Sequence, residues 1–361
     1  MRVYASTVTL GLGALAFACS GSTIEVVSYD GGEEAADSPD APDAAETASP
    51  LVPITLTWRE VNANIVEGDI ASIWGTGADD VYVGTDMGGI YRLSDGIPSG
   101  KQVGSGVVVG AGWGADPENV YAAGASAWLA QAGLSSTGGL YRLGADGFWA
   151  SIASGTFYAV WGSSSSDVYA AGPAGVVHSA AGGPFDIEPF DGGSVLSLWG
   201  NARGDIYATT AGPAGAIFHS AGDGTWQVLT TVTGGPWAIW SSGPGDVYAI
   251  VSPEASTDPP AYVLHTRPDG TWATEPVSTT ATTLVTLWGS GPGDVYAGGW
   301  QDGASGRTGI LYHSMGDGAW IPVPLPGSLY DVRSVWGSSA VDVYVGVFDL
   351  DDGPVLLHGQ P

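Results

Sequence analysis

The chain has 361 residues, enough for one large core plus a short extra segment. Nine Lys+Arg against 37 Asp+Glu give a net charge of −28. That excludes nucleic acid and anionic lipid surfaces as partners, because both require concentrated positive charge. The single cysteine, Cys19, excludes an intrachain disulfide.

Residues 1–18 have the pattern of a secretory signal peptide: Arg2, the apolar run Val8–Phe17, then Ala16-Phe17-Ala18 before Cys19. The run is too short to span a membrane. A cysteine at the cleavage point resembles the lipobox of bacterial lipoproteins, which implies a lipidated Cys19 at the mature N-terminus. Ala16-Phe17-Ala18 also suits an ordinary signal peptidase, which would release the protein. Ser20 stands where inner-membrane retention uses Asp, so an outer-membrane or cell-surface lipoprotein is expected, with the periplasm or secretion as alternatives. Residues 19–50 form an acidic linker of Ala, Ser, Pro, Asp and Glu without Lys or Arg. Such a segment buries too little apolar surface to offset its ordering entropy, and a disordered tether is expected.

From residue 51 to 361 one motif recurs seven times. Trp74, Trp161, Trp199, Trp240, Trp288 and Trp336 are each followed six residues later by Asp80, Asp167, Asp205, Asp246, Asp294 and Asp342. The remaining copy, Trp113, has Asn119 there. The Trp-to-Trp interval varies from 38 to 48 residues, a fixed core with elastic spacers that marks a repeat architecture. In the sixth copy Leu284–Trp288, Asp294–Gly298, Gly309–Ser314 and Ala319–Val323 read as four strands. Asp317-Gly318 makes the last turn, a hairpin signal because Gly tolerates positive φ. It recurs at Asp146-Gly147, Asp223-Gly224 and Asp269-Gly270. Four antiparallel strands seven times over define an all-β, seven-bladed β-propeller. The last copy stops at its third strand, Val355–His358, and an orphan strand, Thr57–Val61, precedes the first. The N-terminal strand is therefore expected to complete the last blade and close the ring.

The Trp-Gly-x4-Asp-Val-Tyr-Ala-x-Gly pattern, clearest at Trp161–Gly172, resembles the repeats of secreted bacterial β-propeller lipoproteins. These are grouped loosely with sialidase-type (BNR/Asp-box-like) and photosystem-assembly-factor-like propellers. The Ser220-x-x-Asp223-Gly224-x-Trp226 turn is similar to an Asp-box but one residue shorter. The resemblance spans the repeat region and implies the fold; it implies little about activity, since propellers host unrelated functions.

Several residue sets look chemical but have structural explanations. His178, His219, His265, His313 and His358 occupy one equivalent place in five third strands, with Arg92 and Arg142 in the other two. Blades about 10 Å apart cannot gather these histidines on one ion, so each is expected to bond within its own blade. The repeated Asp is expected to close its Gly-rich turn. The small residues two before each Trp (Ser72, Ala111, Ala159, Ser197, Ala238, Thr286 and Ser334) suit crowded innermost strands. No P-loop, zinc-protease motif or nucleophile elbow is present. A sialidase needs three converging Arg, and only Arg333 lies on a predicted innermost strand.

Trp128, Trp237 and Trp300 remain after the repeat is subtracted. The insertions Ala125–Gly138, Val251–Ala261, Gly299–Thr308 and Val347–Gly353 all fall between second and third strands, on the face where first strands begin. That face is the expected binding face, with Trp128, Tyr158, Trp237, Trp300 and Tyr330 as ligand-binding candidates. A glycan would stack on these rings, or a protein would bury them. Asp69 and Asp331 each precede their Trp by five residues in blades that ring closure makes neighbours, with Arg333 close by. They could be the acid/base pair of a carbohydrate-active hydrolase or lyase, a calcium site, or solvated rim residues. Asp349, Asp351 and Asp352 form another oxygen-rich loop that calcium could use. No cofactor is otherwise expected. The leading expectation is a monomeric, non-enzymatic binding module for a glycan or protein at the cell envelope, touching the membrane only through its N-terminal anchor. The alternatives are the hydrolase or lyase and an outer-membrane assembly scaffold.

Overall fold

A computed structural model describes residues 55–361 apart from 64, 66, 95–96, 105, 127–137, 212–213, 253–260, 281, 304–305 and 351–352. The signal peptide, Cys19, the acidic linker, Trp128, Asp351 and Asp352 lie outside the described residues. Twenty-eight strands and no helix are found among those described.

The chain enters through β1 (Thr57–Val61). Blade one is β2 (Ile70–Gly77), β3 (Asp80–Thr85), β4 (Gly89–Ser94) and β5 (Ile97–Gln102). Blade two is β6 (Val107–Asp116), β7 (Asn119–Ser126), β8 (Gly139–Leu143) and β9 (Trp149–Ser154). Blade three is β10 (Ala159–Ser164), β11 (Asp167–Gly172), β12 (Gly175–Ala180) and β13 (Asp186–Ile187). Blade four is β14 (Val195–Ala202), β15 (Asp205–Thr210), β16 (Ala214–Ser220) and β17 (Gln227–Thr233). Blade five is β18 (Gly235–Gly243), β19 (Asp246–Ser252), β20 (Tyr262–Thr266) and β21 (Trp272–Pro276). Blade six is β22 (Thr282–Gly291), β23 (Asp294–Gly303), β24 (Gly306–Ser314) and β25 (Trp320–Pro322). Blade seven has β26 (Leu329–Ser339), β27 (Asp342–Asp349) and β28 (Gly353–Gln360).

Every blade is a four-stranded antiparallel sheet, and in blade seven β1 supplies the outer strand beside β28. Trp58 faces Gly359 and Arg59 faces His358 in that register. First strands touch in sequence from β2 through β6, β10, β14, β18, β22 and β26, and β26 touches β2 again. The fold is therefore a closed seven-bladed β-propeller with the first strands innermost. Second strands such as β3, β11 and β15 are buried at all six positions. Both faces of a blade are covered, so Asp-Val-Tyr-Ala runs do not alternate with polar residues. The four Asp-Gly hairpins form as expected: Gly147, Gly224, Gly270 and Gly318 all have φ between 76° and 84°. The Asp carboxylate of each accepts the backbone N–H two residues on, as Asp146 does from Phe148 at 3.0 Å.

Within each blade the repeat Trp, Tyr and third-strand residue stand side by side, as Trp161, Tyr169 and His178 do. The histidines bond within their own blades: His178, His265, His313 and His358 meet Asp167, Asp246, Asp294 and Asp342 at 2.6–2.8 Å, and His219 meets Asp205 at 3.2 Å. The second carboxylate oxygen takes the side chain two residues after the Trp, as Asp80 takes the Thr76 hydroxyl at 2.6 Å. The repeated Asp thus ties three strands together as well as closing its turn. The hydroxyls two before the Trp also do more than leave room. Ser72 donates to the Val109 carbonyl at 2.7 Å, and Ser334 accepts from the Ile73 N–H at 2.9 Å, stitching neighbouring innermost strands.

One reading is corrected. Gly299–Thr308, expected as a loop, is mostly strand: β23 runs on to Gly303, β24 starts at Gly306, and Trp300 pairs with Thr283 and Gly309. Val347–Gly353 likewise extends the β27–β28 hairpin, with Asp349 paired to Gly353. Gly299, Gly303, Gly306 and Gly309 break up the side-chain pattern of the first stretch, and Asp349, Asp351 and Asp352 that of the second, while the backbone ladder still forms.

Candidate functional site

In a four-stranded antiparallel blade, first strands begin where second strands end. The Asp69 N–H donates to the Asp86 carboxylate at 2.8 Å, and Leu329 pairs with Asp349, so these segments share the loop-bearing face.

The residue three before the repeat Trp has a common geometry. The β2–β3, β6–β7, β14–β15, β18–β19, β22–β23 and β26–β27 ladders each skip one residue there: Ala71, Gly110, Leu196, Trp237, Val285 and Arg333. The blade-three equivalent, Tyr158, directly precedes β10. A bulged residue has no cross-strand partner and its side chain is re-aimed; here it lies on the strand that borders the axis. The mouth of the central channel is therefore ringed by these seven positions. Trp237 is 50% exposed and Tyr158 38% exposed. A second skip in β26 falls at Tyr330. Three of the aromatic candidates thus owe their position to the innermost strands' irregular starts.

Across blades six and seven, rings and guanidinium groups alternate. The Arg307 guanidinium lies 4.5 Å from the Trp300 ring centre and 5.2 Å from that of Tyr330. Tyr330 meets Phe348 edge-on at 6.1 Å, and Arg333 lies 5.4 Å from Phe348. The row ends in ion pairs: Arg333 Nε donates to Asp331 at 3.1 Å, and its Nη1 reaches Asp69 of blade one at 3.0 Å. Trp300 and Tyr330 are therefore brought together, while Trp237 and Tyr158 stand apart in blades five and three. Asp349 is buried, and Asp331 is only 4% exposed. For Asp331 the solvated-rim reading is replaced by a buried ion pair. Asp69 and Asp331 are neighbours, as ring closure requires, but Arg333 stands between them where a substrate or water would act.

Arg307, Phe348 and Asp86 belong to this cluster and were not picked out from the sequence. The first two come from the two hairpin extensions that the sequence presents as loops. Burial pushes the Asp86 carboxyl above its ordinary range, aided by the Asp69 charge and opposed by the Asp69 N–H and Arg333. Among the described residues no group of three or more His, Cys, Asp or Glu could hold a metal ion.

No protein-family model matches the chain, and no curated protein is similar to it in sequence. Solved structures do resemble it in fold. YCF48 bound to D1 peptide is similar with a TM-score of 0.59 and 12% identity, over 86% of this chain and 98% of that one. Virginiamycin B lyase from Staphylococcus aureus gives 0.66 and 10%, over 85% and 99%. The WD40 β-propeller domain of Doa1 gives 0.58 and 12%, over 85% and 98%. At such identity the likeness is one of architecture. A lyase, a peptide complex and a WD40 domain share it, so activity must be argued from the site.

Proposed function

We propose that the protein is a non-enzymatic binding propeller of the cell envelope that takes a protein segment on its loop-bearing face. The observation that carries this reading is the exposure of Trp237 and Tyr158 at bulged or strand-entry positions on the channel mouth, where no packing role accounts for them. Large rigid rings beside a polar rim suit a peptide or loop inserting at the channel mouth. The peptide bound to YCF48 is consistent with a propeller serving this way. Glycan stacking is the second reading, favoured by the open Trp237 indole; Trp300 supports it less, because Arg307 covers one face of that ring. The hydrolase or lyase reading draws little support, since Arg333 engages both carboxylates.

The test replaces Trp237 with a photo-crosslinking residue in cells and runs the purified protein on a glycan array with and without calcium. A protein adduct at position 237, absent when the probe is moved to Asp269 on the opposite face, is the expected result. Trp237→Ala with Tyr158→Ala should abolish capture and leave the thermal midpoint within about 2 °C, as expected for exposed side chains. A large loss of stability would assign both rings to the core, and a glycan signal without an adduct would favour the second reading. We also propose export and lipidation at Cys19. Fatty-acid label that persists in Cys19→Ser would overturn that anchor.

A further inference from the structure

The second blade departs from the other six at one connected set of positions. Two residues after Trp113 stands Ala115 and six residues after it stands Asn119, facing Arg142 at a third-strand position that is Arg only here and, as Arg92, in blade one. In the other blades a carboxylate faces that third-strand group: Asp80 holds Arg92 at 2.6 Å, and five aspartates hold histidines. Arg142 instead donates to the uncharged Asn119 amide oxygen at 2.6 Å. The Asn119 amide in turn donates to Asp116 at 2.8 and 3.0 Å, so the Asp116 carboxylate is linked to the guanidinium only through the Asn119 side chain. An exposed guanidinium with five N–H donors is thus faced by a neutral acceptor.

The surroundings of Arg142 are concave. A cavity of 690 Å³ is lined by Arg142, Asn119, Glu118 and Arg92, and an adjoining one of 210 Å³ shares Arg92 and adds Lys101 and Asp146. Together they form a groove between the outer strands of blades one and two, with Arg142 and Asp146 at its fixed-turn end. The Lys101 ammonium lies 4.2 Å from the centre of the Phe148 ring, which is 59% exposed. Arg92, Lys101 and Arg142 are three of only nine cationic side chains in the chain. Glu118 and Asp146 flank them, which disfavours a polyanion laid along the groove and favours one carboxylate seated on Arg142. Guanidinium and carboxylate match in shape as well as charge.

We propose that this groove binds a carboxylate-bearing ligand, with Arg142 taking the carboxylate and Lys101 and Phe148 holding the body of the ligand. Arg142 stands at the end of its blade opposite the loop-bearing face, and the site does not depend on the reading argued above. Both a free monocarboxylate and a single acidic peptide side chain present this chemistry, so the probes are benzoate and a capped peptide carrying one glutamate, titrated calorimetrically into the purified protein in about 50 mM salt.

The discriminating variant is Asn119→Asp, which installs the residue that six blades already carry and gives Arg142 an internal carboxylate. Saturable binding of either probe by the wild type is expected, weakened at least about tenfold by Asn119→Asp and by Arg142→His, with thermal midpoints held or raised. The probe bound more tightly identifies the source of the carboxylate. Absence of saturable binding of both probes, or undiminished binding in Asn119→Asp, would overturn the proposal.

Discussion

Five of the seven repeat tryptophans rest on the next blade's backbone where the motif places glycine: Trp113 on Gly162, Trp161 on Gly200, Trp240 on Gly289, Trp288 on Gly337 and Trp336 on Gly75, whereas Trp74 lies against Gly112. A Cβ on Gly337 would stand 2.6 Å from the Trp288 ring and 2.6 Å from the Asp342 carbonyl oxygen. Blade five has Ser241 at this place. There the Trp199 indole donates to the Ser241 carbonyl at 3.0 Å and stays partly exposed. Gly337→Ala should therefore cost about 2–3 kcal/mol through overpacking between rigid groups. Gly291→Ala, whose Cβ would meet nothing within 4 Å, should change stability by less than about 1 kcal/mol. Urea midpoints at constant m-value would check both; equal effects would show that the clash does not set the glycine. The Trp-Gly pair was legible in the sequence, but its cause was not, because the partner ring lies in the preceding blade, 39 or 49 residues away and, for Gly75, at the other end of the repeat region.

At the scale of strands, two regular features decide what could be read. The fixed interval between Trp and Asp located the first two strands of every blade, and the His or Arg that follows at a variable distance marked the third. Bulges and strand extensions of variable length have no such interval, which is why Trp300 was read as a loop residue and Arg307 and Phe348 were missed. The Glu residues of fourth strands were equally silent, although they join blades. His265 lies between Asp246 and Glu275, each at 2.8 Å, and Glu275 accepts the Trp320 indole N–H of blade six at 2.9 Å. Burial alone would lower the His265 pKa, but the two hydrogen-bonded carboxylates outweigh it and raise it from 6.5 to about 9. A folded-state value above the unfolded one contributes stability that is fully present below pH 6.5 and lost as pH rises through about 9. For Asp246 burial works upward, yet the bonds from His265 and Ser242 leave it below 3.8, so its share is lost only in acid. The wild type should thus exceed His265→Gln by on the order of 2–3 kcal/mol near pH 6, with the gap closing toward pH 10. Thermal unfolding of both proteins across that range is the measurement, and a gap independent of pH would mean that His265 acts by shape alone.

Closure of the whole disc was legible because the sequence left one blade short of a strand and one strand without a blade, and β1 beside β28 resolves both. Ligand-bearing surface was less legible, since it depends on where seven separate chain segments meet around an axis. Charge acts at this scale too. The chain carries 37 acidic residues and nine Lys+Arg, and the cationic groups sit in a few pairs such as Arg333 with Asp69 and Asp331. Self-repulsion then opposes the compact state, and salt should relieve it by shortening the Debye length from about 30 Å at 0.01 M to about 8 Å at 0.15 M. The thermal midpoint should rise by several degrees over that interval. Carboxylate binding at Arg142 should weaken over the same interval, because there the interacting charges attract. Ring stacking at Trp237 should be nearly indifferent to salt. One titration of sodium chloride, read by unfolding and by binding, therefore yields three different slopes. A midpoint that falls with salt would mean that local ion pairs outweigh the net charge in holding the ring closed.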